Sequence, residues 1–147
     1  TWCGDRTDPA LVGSTLADER VSPDAAWRAW AVEGWGIGSQ TTLSAVDGDR
    51  WVGMGVCIVL DAEPRTAKVF AMWVEPAARR QGVGRGLLHA LTEWASSTEA
   101  EELHLDVTEG NTAAMDLYER AGFASTGHSA ELRPGSQFRT LALRKTL

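Results

Sequence analysis

The chain has 147 residues, 44% hydrophobic and 23% charged, a length that fits one domain with a single core and requires no disulfide or metal staple. Its 14 Lys+Arg against 20 Asp+Glu leave a net charge of −6, which argues against a nucleic-acid partner and against a polybasic protein of the membrane surface. The longest apolar run, residues 52–60, is far shorter than the roughly 20 residues that span a bilayer, so no membrane partner is expected. Cys3 and Cys57 share no C-x-x-C spacing and have no His pair nearby, so no metal is expected. Cys57 lies in an apolar run and reads as a buried free thiol. No charged-then-apolar leader opens the chain, which is read as cytoplasmic, and a start at Thr1 hints at residues missing ahead of it.

Taken in order, Ser22-Pro23-Asp24 resembles a helix start, and Ala26, Trp27, Trp30 and Ala31 recur at helical spacing over residues 24–33, before Gly34. Strand-like runs follow at residues 41–46 and 51–60, with Asp47-Gly48-Asp49 between them as a hairpin turn. A second turn at residues 62–65, containing Pro64, leads to a third run at 67–74, and three sequential strands imply an antiparallel meander. Val83, Leu87, Leu88, Leu91 and Trp94 then mark one face of a helix ending near Ser96. The acidic run Glu99-Ala100-Glu101-Glu102 reads as a solvated loop.

In residues 103–108, Leu103, Leu105 and Val107 alternate with His104, Asp106 and Thr108, which puts the three polar side chains on one face of a strand. A second helix is expected at residues 111–121, with Gly122 as its left-handed terminator, followed by short strands at 123–126 and 138–145. The expected fold is α/β (α+β): a mixed sheet with flanking helices and no internal repeat.

The segment Val74-Glu75-Pro76-Ala77-Ala78-Arg79-Arg80-Gln81-Gly82-Val83-Gly84-Arg85-Gly86 carries the strongest chemical signal. Glycines at a helix N-terminus leave backbone N–H groups open to an anion at the positive end of the helix dipole, and Arg79, Arg80 and Arg85 add charge. The competing reading is a tight glycine turn with solvated arginines. Position 87 is Leu and no G-K-[ST] follows, so neither a dinucleotide fingerprint nor a P-loop is matched.

Arg79-x-x-Gly82-x-Gly84 after a V-x-P strand end resembles the acyl-CoA pyrophosphate loop of the GNAT superfamily of N-acyltransferases. A second block is similar to that family as well: Leu105-Asp106-Val107, Asn111, and Leu117-Tyr118-Glu119-Arg120-Ala121-Gly122-Phe123, with the family's seven-residue step from Asn111 to Tyr118. The resemblance covers about residues 40 to 145 and departs at the front, where no convincing first strand precedes Ala10.

The resemblance implies a single GNAT-like domain over residues 1–147, with a mostly antiparallel sheet splayed at its centre and acetyl-CoA as acyl donor. Backbone groups of Met72, Trp73 and Val74 would pair with the pantetheine arm. N–H groups of Arg80, Gln81, Gly82, Val83, Gly84 and Arg85, with Arg79 nearby, would hold the diphosphate, and Asn111 would bond the pantetheine or adenylate side. Tyr118 would protonate the departing thiolate; its other reading is a core aromatic. Asp106 is the first choice of base, with a loop-bonding role as its alternative, and Glu33 and Glu75 are weaker candidates.

Seven tryptophans are many for this length. Trp27, Trp30 and Trp35 would line an amine pocket with His104, or Trp27 and Trp30 simply form a core face. The expected reaction is direct transfer of an acetyl group to a small-molecule or protein amine, and the terminal strand at 138–145, if exposed, would allow a homodimer. A non-catalytic acyl-CoA-binding module and a nucleotide-phosphate interaction domain are the competing functions.

Overall fold

The computed structural model describes residues 39–60 and 62–147. They form β1 (Ser39–Asp47), β2 (Arg50–Leu60), β3 (Glu63–Val74), a 3-10 turn (Pro76–Ala78), α1 (Val83–Ser96), β4 (Glu102–Thr108), α2 (Thr112–Arg120), β5 (Ala124–Glu131) and β6 (Arg139–Thr146). The strands make one six-stranded sheet in the order β1-β2-β3-β4-β6-β5, in which β3 and β4 run parallel and every other described pair is antiparallel. This is the mixed, mostly antiparallel α/β sheet that the alternating strand and helix patterns imply, but the terminal strand β6 is paired on both sides, by β4 and β5, and is not the exposed edge expected of residues 138–145.

The meander β1-β2-β3 follows from its turns. Asp47 pairs with Arg50, leaving Gly48 (φ 59°) and Asp49 as a two-residue hairpin loop, and the positive φ explains glycine there. The second turn is tighter than the pattern suggests, because β3 already starts at Glu63 and takes Pro64 into its first residues, where a missing N–H costs the ladder little. Glu102 likewise belongs to β4 rather than to a solvated loop. Phe123 precedes β5 and is buried in the core, whereas β5 runs on to Glu131 through Ser, Thr, Gly and His. That composition has little strand preference of its own; pairing with β6 holds it extended.

Both helices pack on one face of the sheet. Leu88, Leu91 and Ala95 of α1 and Ala114 and Tyr118 of α2 share a core with Cys57, Val69, Leu103, Leu105, Val107 and Leu143. Val56, Ile58 and Ala71 form a smaller cluster. Burial pushes the Cys57 thiol up to about 12, so it stays protonated at neutral pH and acts as a small apolar filler. Among the described residues no helix is long and apolar enough to cross a membrane.

Close approach of α1 to β2 depends on glycine. A Cβ on Gly55 would lie 2.7 Å from Leu91 Cδ1, and Leu91 is fully buried. Gly55→Ala is therefore expected to destabilise the protein by about 1–3 kcal/mol through overpacking. Gly86→Ala, where an added Cβ meets nothing within 4 Å, should be neutral or gain up to about 1 kcal/mol from helix propensity. Urea unfolding of the two variants checks the pair; equal midpoints would contradict the tight α1–β2 contact.

Candidate functional site

The site begins where β3 and β4 part. Val56 pairs with Ala71 but Cys57 pairs with Val69, so Phe70 is an extra residue on β3, a β-bulge that bends the strand. Val69–Leu105 is the last β3–β4 pair, although β3 continues to Val74 and β4 to Thr108. The two C-terminal ends therefore diverge into a fork. The bulge also changes which side chains face the helices: Ala67 and Val69 join the main core before it, Met72 after it, and Ala71 passes to the second cluster. A second irregularity, with Ala45 opposite Gly53 and Val46 opposite Trp51, leaves Val52 as the extra residue on β2. Trp51 stacks on Trp73 with ring centroids 5.1 Å apart and planes 18° from parallel.

The chain leaves β3 through a loop fixed mainly by its own backbone. Arg79 Nε donates to Val74 O at 3.0 Å and Gln81 Nε2 to Ala77 O at 2.9 Å. Arg80 (φ 65°) and Gly82 (φ 87°) are both left-handed, which turns the chain into α1. No side chain caps that helix, and its first turn closes with Gly86 N donating to Gly82 O at 2.9 Å. Among the described residues the amides of Gly82, Val83, Gly84 and Arg85 take no protein acceptor. A short row of donors at the positive end of a 14-residue helix suits a diphosphate. Arg80 and Arg85 are exposed beside it, while Arg79 clamps the end of β3.

Gly84 marks where three elements meet. A Cβ there would lie 3.4 Å from Leu117 Cδ2 and 3.7 Å from both Met72 Cε and Val74 Cγ2, so the first turn of α1, the end of β3 and the middle of α2 are in contact. Asn111 opens α2 as its N-cap, with Oδ1 accepting from Ala114 N at 3.2 Å. One residue beyond Leu117, Tyr118 is 1% exposed and packs edge-on against Phe123 at 6.0 Å.

Asp106 follows the last β3–β4 pair directly and is ion-paired with Lys68 Nζ at 2.8 Å. Leu105 and Val107 point into the helix-covered core, so Asp106 belongs to the opposite face by strand alternation. The two candidate proton-transfer groups thus lie on opposite faces of the sheet, since Tyr118 belongs to the helix-covered core. His104 stands further back, in register with Lys68, and its Nε2 meets Glu102 at 2.8 Å. Glu75 is bound by Arg50 at 2.9 Å. Trp27, Trp30, Trp35 and Glu33 lie outside the described residues.

Met72, Val74, the 79–85 loop and Asp106 are thus gathered around the fork and the α1 start, with Asn111 and Tyr118 on the adjoining α2; His104 is set apart from it. Sequence reasoning missed Lys68, Trp51 and the extra residue Phe70. The partner of Asp106 depends on a parallel register that no local pattern encodes. Among the described residues, no group of three or more His, Cys, Asp or Glu could hold a metal ion.

Comparison with known proteins bears on this arrangement. The model of the Acetyltransferase (GNAT) family matches residues 8–123. The [ribosomal protein bS18]-alanine N-acetyltransferase of Escherichia coli is 30% identical over 93 residues, 58% of this chain and 63% of that protein. The crystal structure of ribosomal-protein-alanine N-acetyltransferase from Brucella melitensis superposes with a TM-score of 0.74 at 23% identity, covering 91% of this chain and 86% of that one. A protein from Bacillus anthracis assigned as a streptothricin acetyltransferase, solved with acetyl coenzyme A, gives a TM-score of 0.66 at 20% identity over 77% of this chain and 65% of that one. The chain spans between 18% and 63% of the length of the curated relatives it matches.

The Glu102–His104 contact has a pH signature. The hydrogen bond from His104, with Arg144 close by, holds the Glu102 carboxyl below its ordinary 4.5. A depressed carboxyl contributes stability that is present above that ordinary value and lost as pH falls through the lower folded one. Glu102→Gln should therefore give a shallower acid limb in urea midpoints followed from about pH 6 to about pH 3; an unchanged limb would show the contact to be energetically silent.

Proposed function

Because this chain belongs to the Acetyltransferase (GNAT) family, we propose that it transfers an acetyl group from acetyl-CoA to a primary amine by direct attack within a ternary complex. The observation that carries the reading is the meeting of uncapped helix amides with a forked sheet. The diphosphate lies against the N–H groups of Arg80 through Arg85. The extended pantetheine arm runs along the edge of β3 that β4 leaves beyond Val69, at Met72, Trp73 and Val74, as an added strand would. Asn111 is assigned to the pantetheine or adenylate side, which its position just past the end of β4 supports.

In this arrangement the amine nitrogen attacks the thioester carbonyl, the C–N bond forms and the C–S bond breaks. A backbone N–H near Val74 polarises the carbonyl oxygen as negative charge gathers there. The departing thiolate, with a thiol pKa near 8.5, takes a proton from the Tyr118 hydroxyl, near 10 in its ordinary state. The contact of its neighbour Leu117 with the α1 start supports that role, while its packing on Phe123 gives it a core duty as well. The proton lost by the amine passes to Asp106 through water. The position of Asp106 beside the fork supports the assignment, and the ion pair with Lys68 gives it a structural duty as well.

The acceptor is a small-molecule or protein amine, since the similar proteins include enzymes of both kinds. It enters on the Asp106 face, where the Trp51–Trp73 stack borders the approach and His104 stands further back, and where Trp27, Trp30 and Trp35 are assigned. The reducing cytoplasm fits a chain whose Cys57 is a free buried thiol.

Quenching of Trp fluorescence by acetyl-CoA reads the binding step, and thiol release with a panel of amines reads turnover. Both are expected; binding without release on any amine would favour a non-catalytic acyl-CoA module. Tyr118→Phe should lower turnover by about 100-fold or more, the scale of one lost general acid, with little change in cofactor affinity. Equal turnover would remove Tyr118 from the chemistry. Asp106→Asn should flatten the acid side of the pH–rate profile, and an unaltered profile would leave Asp106 only its pairing with Lys68.

A further inference from the structure

Lys68 is the only charged residue between Thr66 and Val74, the stretch that carries β3 into the fork. Its neighbours Ala67 and Val69 belong to the core beneath the helices, so strand alternation turns Lys68 to the other face, that of Asp106. Both charged side chains are mostly covered, with 29% of Lys68 and 22% of Asp106 exposed. Charges withdrawn from water to this degree need a partner. Among the described residues each has only the other as an ion-pair partner.

The partnership is not the one that the register alone would make. Lys68 stands opposite His104, yet His104 Nε2 is taken by Glu102 at 2.8 Å, and Glu102 is also met by Arg144 at 3.2 Å. Lys68 instead reaches two positions forward along β4, placing Nζ 2.8 Å from Asp106 Oδ2. On the way its ammonium lies 5.4 Å from the centroid of the Phe70 ring, an arrangement that attracts a cation to an aromatic face. Phe70 is the extra residue of the bulge, and it packs against the far-face cluster of Val56, Ile58 and Ala71. The irregularity that opens the fork thus also supplies the ring that steadies the lysine.

Asp106 is the first residue of β4 past the last β3–β4 pair, so no residue of β3 is paired with it. An Asp side chain at such a place can turn between staggered rotamers. We propose that Lys68 is a positioning residue of the transfer reaction, gripping Oδ2 so that the Asp106 carboxylate is held in one orientation at the opening between the strands. The assignment rests on the reading of Asp106 as base. In the reaction the attacking amine loses its proton through water to the Asp106 carboxylate as the C–N bond forms, while Lys68 keeps its own proton and is not consumed.

The test is steady-state thiol release from acetyl-CoA by the full chain. The acceptors are a peptide with a free amino terminus, an amino-blocked lysine peptide and 1,4-diaminobutane, and the amine that wild type turns over fastest is carried through the variants. Lys68→Met should lower kcat by about 10- to 100-fold, the scale of a misplaced catalytic group, with KM for acetyl-CoA changed less than about twofold. Lys68→Arg, which keeps the charge, should restore most of the rate. Lys68→Gln is one bond shorter than lysine and should lose as much as the Met variant, for which it substitutes if that variant does not fold. In an Asp106→Asn background Lys68→Met should cost nothing further, because two residues that act as a unit are not additive. Wild-type kcat in the folded Lys68→Met or Lys68→Gln protein, or the same fractional loss with and without Asp106, would overturn the positioning role while leaving acetyl transfer standing. Unchanged turnover in Asp106→Asn alone would remove the base and the positioning role together. A wild type that turns over none of the three amines would remove the acetyl-transfer reading and this assignment with it.

Discussion

The parting of two parallel strands governs the rest of this molecule. Four residues of β3 pair with four of β4, and the extra residue at Phe70 then turns β3 away. An open edge of this kind exposes backbone donors and acceptors in the middle of a sheet, where they would ordinarily be paired. The arrangement persists because both strands are held on their other sides, β3 by β2 through Val74 and β4 by β6 through Thr108. The fork is thus braced from outside. Glu75 N bonded to Val52 O at 2.9 Å, and Arg79 Nε bonded to Val74 O at 3.0 Å, fix the free end of β3 and the start of the loop.

A second consequence is electrostatic. The loop delivers α1 with an uncapped N-terminus, so partial positive charge accumulates beside the opening. In a chain of net charge −6, a polyanionic ligand has few places to go. The proposed donor site sets phosphates against the α1 amides, while the opposite face carries Asp106 and Glu102, paired with Lys68 and Arg144, beside the Trp51–Trp73 stack. The sheet separates the two approaches, and the fork joins them.

Much of this was legible in the sequence, for identifiable reasons. α1 was readable because Leu87, Leu88 and Leu91 recur at helical spacing and Gly82 precedes them; the amphipathic pattern and the fold agree. The alternation of Leu103, Leu105 and Val107 placed Asp106 on the far face before any register was known. The bulge was not readable. From Val69 to Val74, β3 is apolar on both faces, so a change of phase at Phe70 leaves no trace in the hydrophobic pattern. The Lys68–Asp106 pair depends on the parallel register, and the approach of Lys145 to Gly122 on the pairing of β6 with β4; both join residues distant in sequence. β5 was extended beyond its expected end because pairing with β6 overrides a weak local preference.

The amides of Gly82 and Gly84 are the atoms on which the account turns. Two-dimensional 1H–15N correlation spectra of the labelled chain, recorded during titration with coenzyme A, report on them directly. The account predicts that these two amides and that of Arg85 show the largest shifts, saturating together, while Gly48 and Gly135 on distant turns stay fixed. Saturable binding with the Gly82 and Gly84 signals unmoved would contradict it.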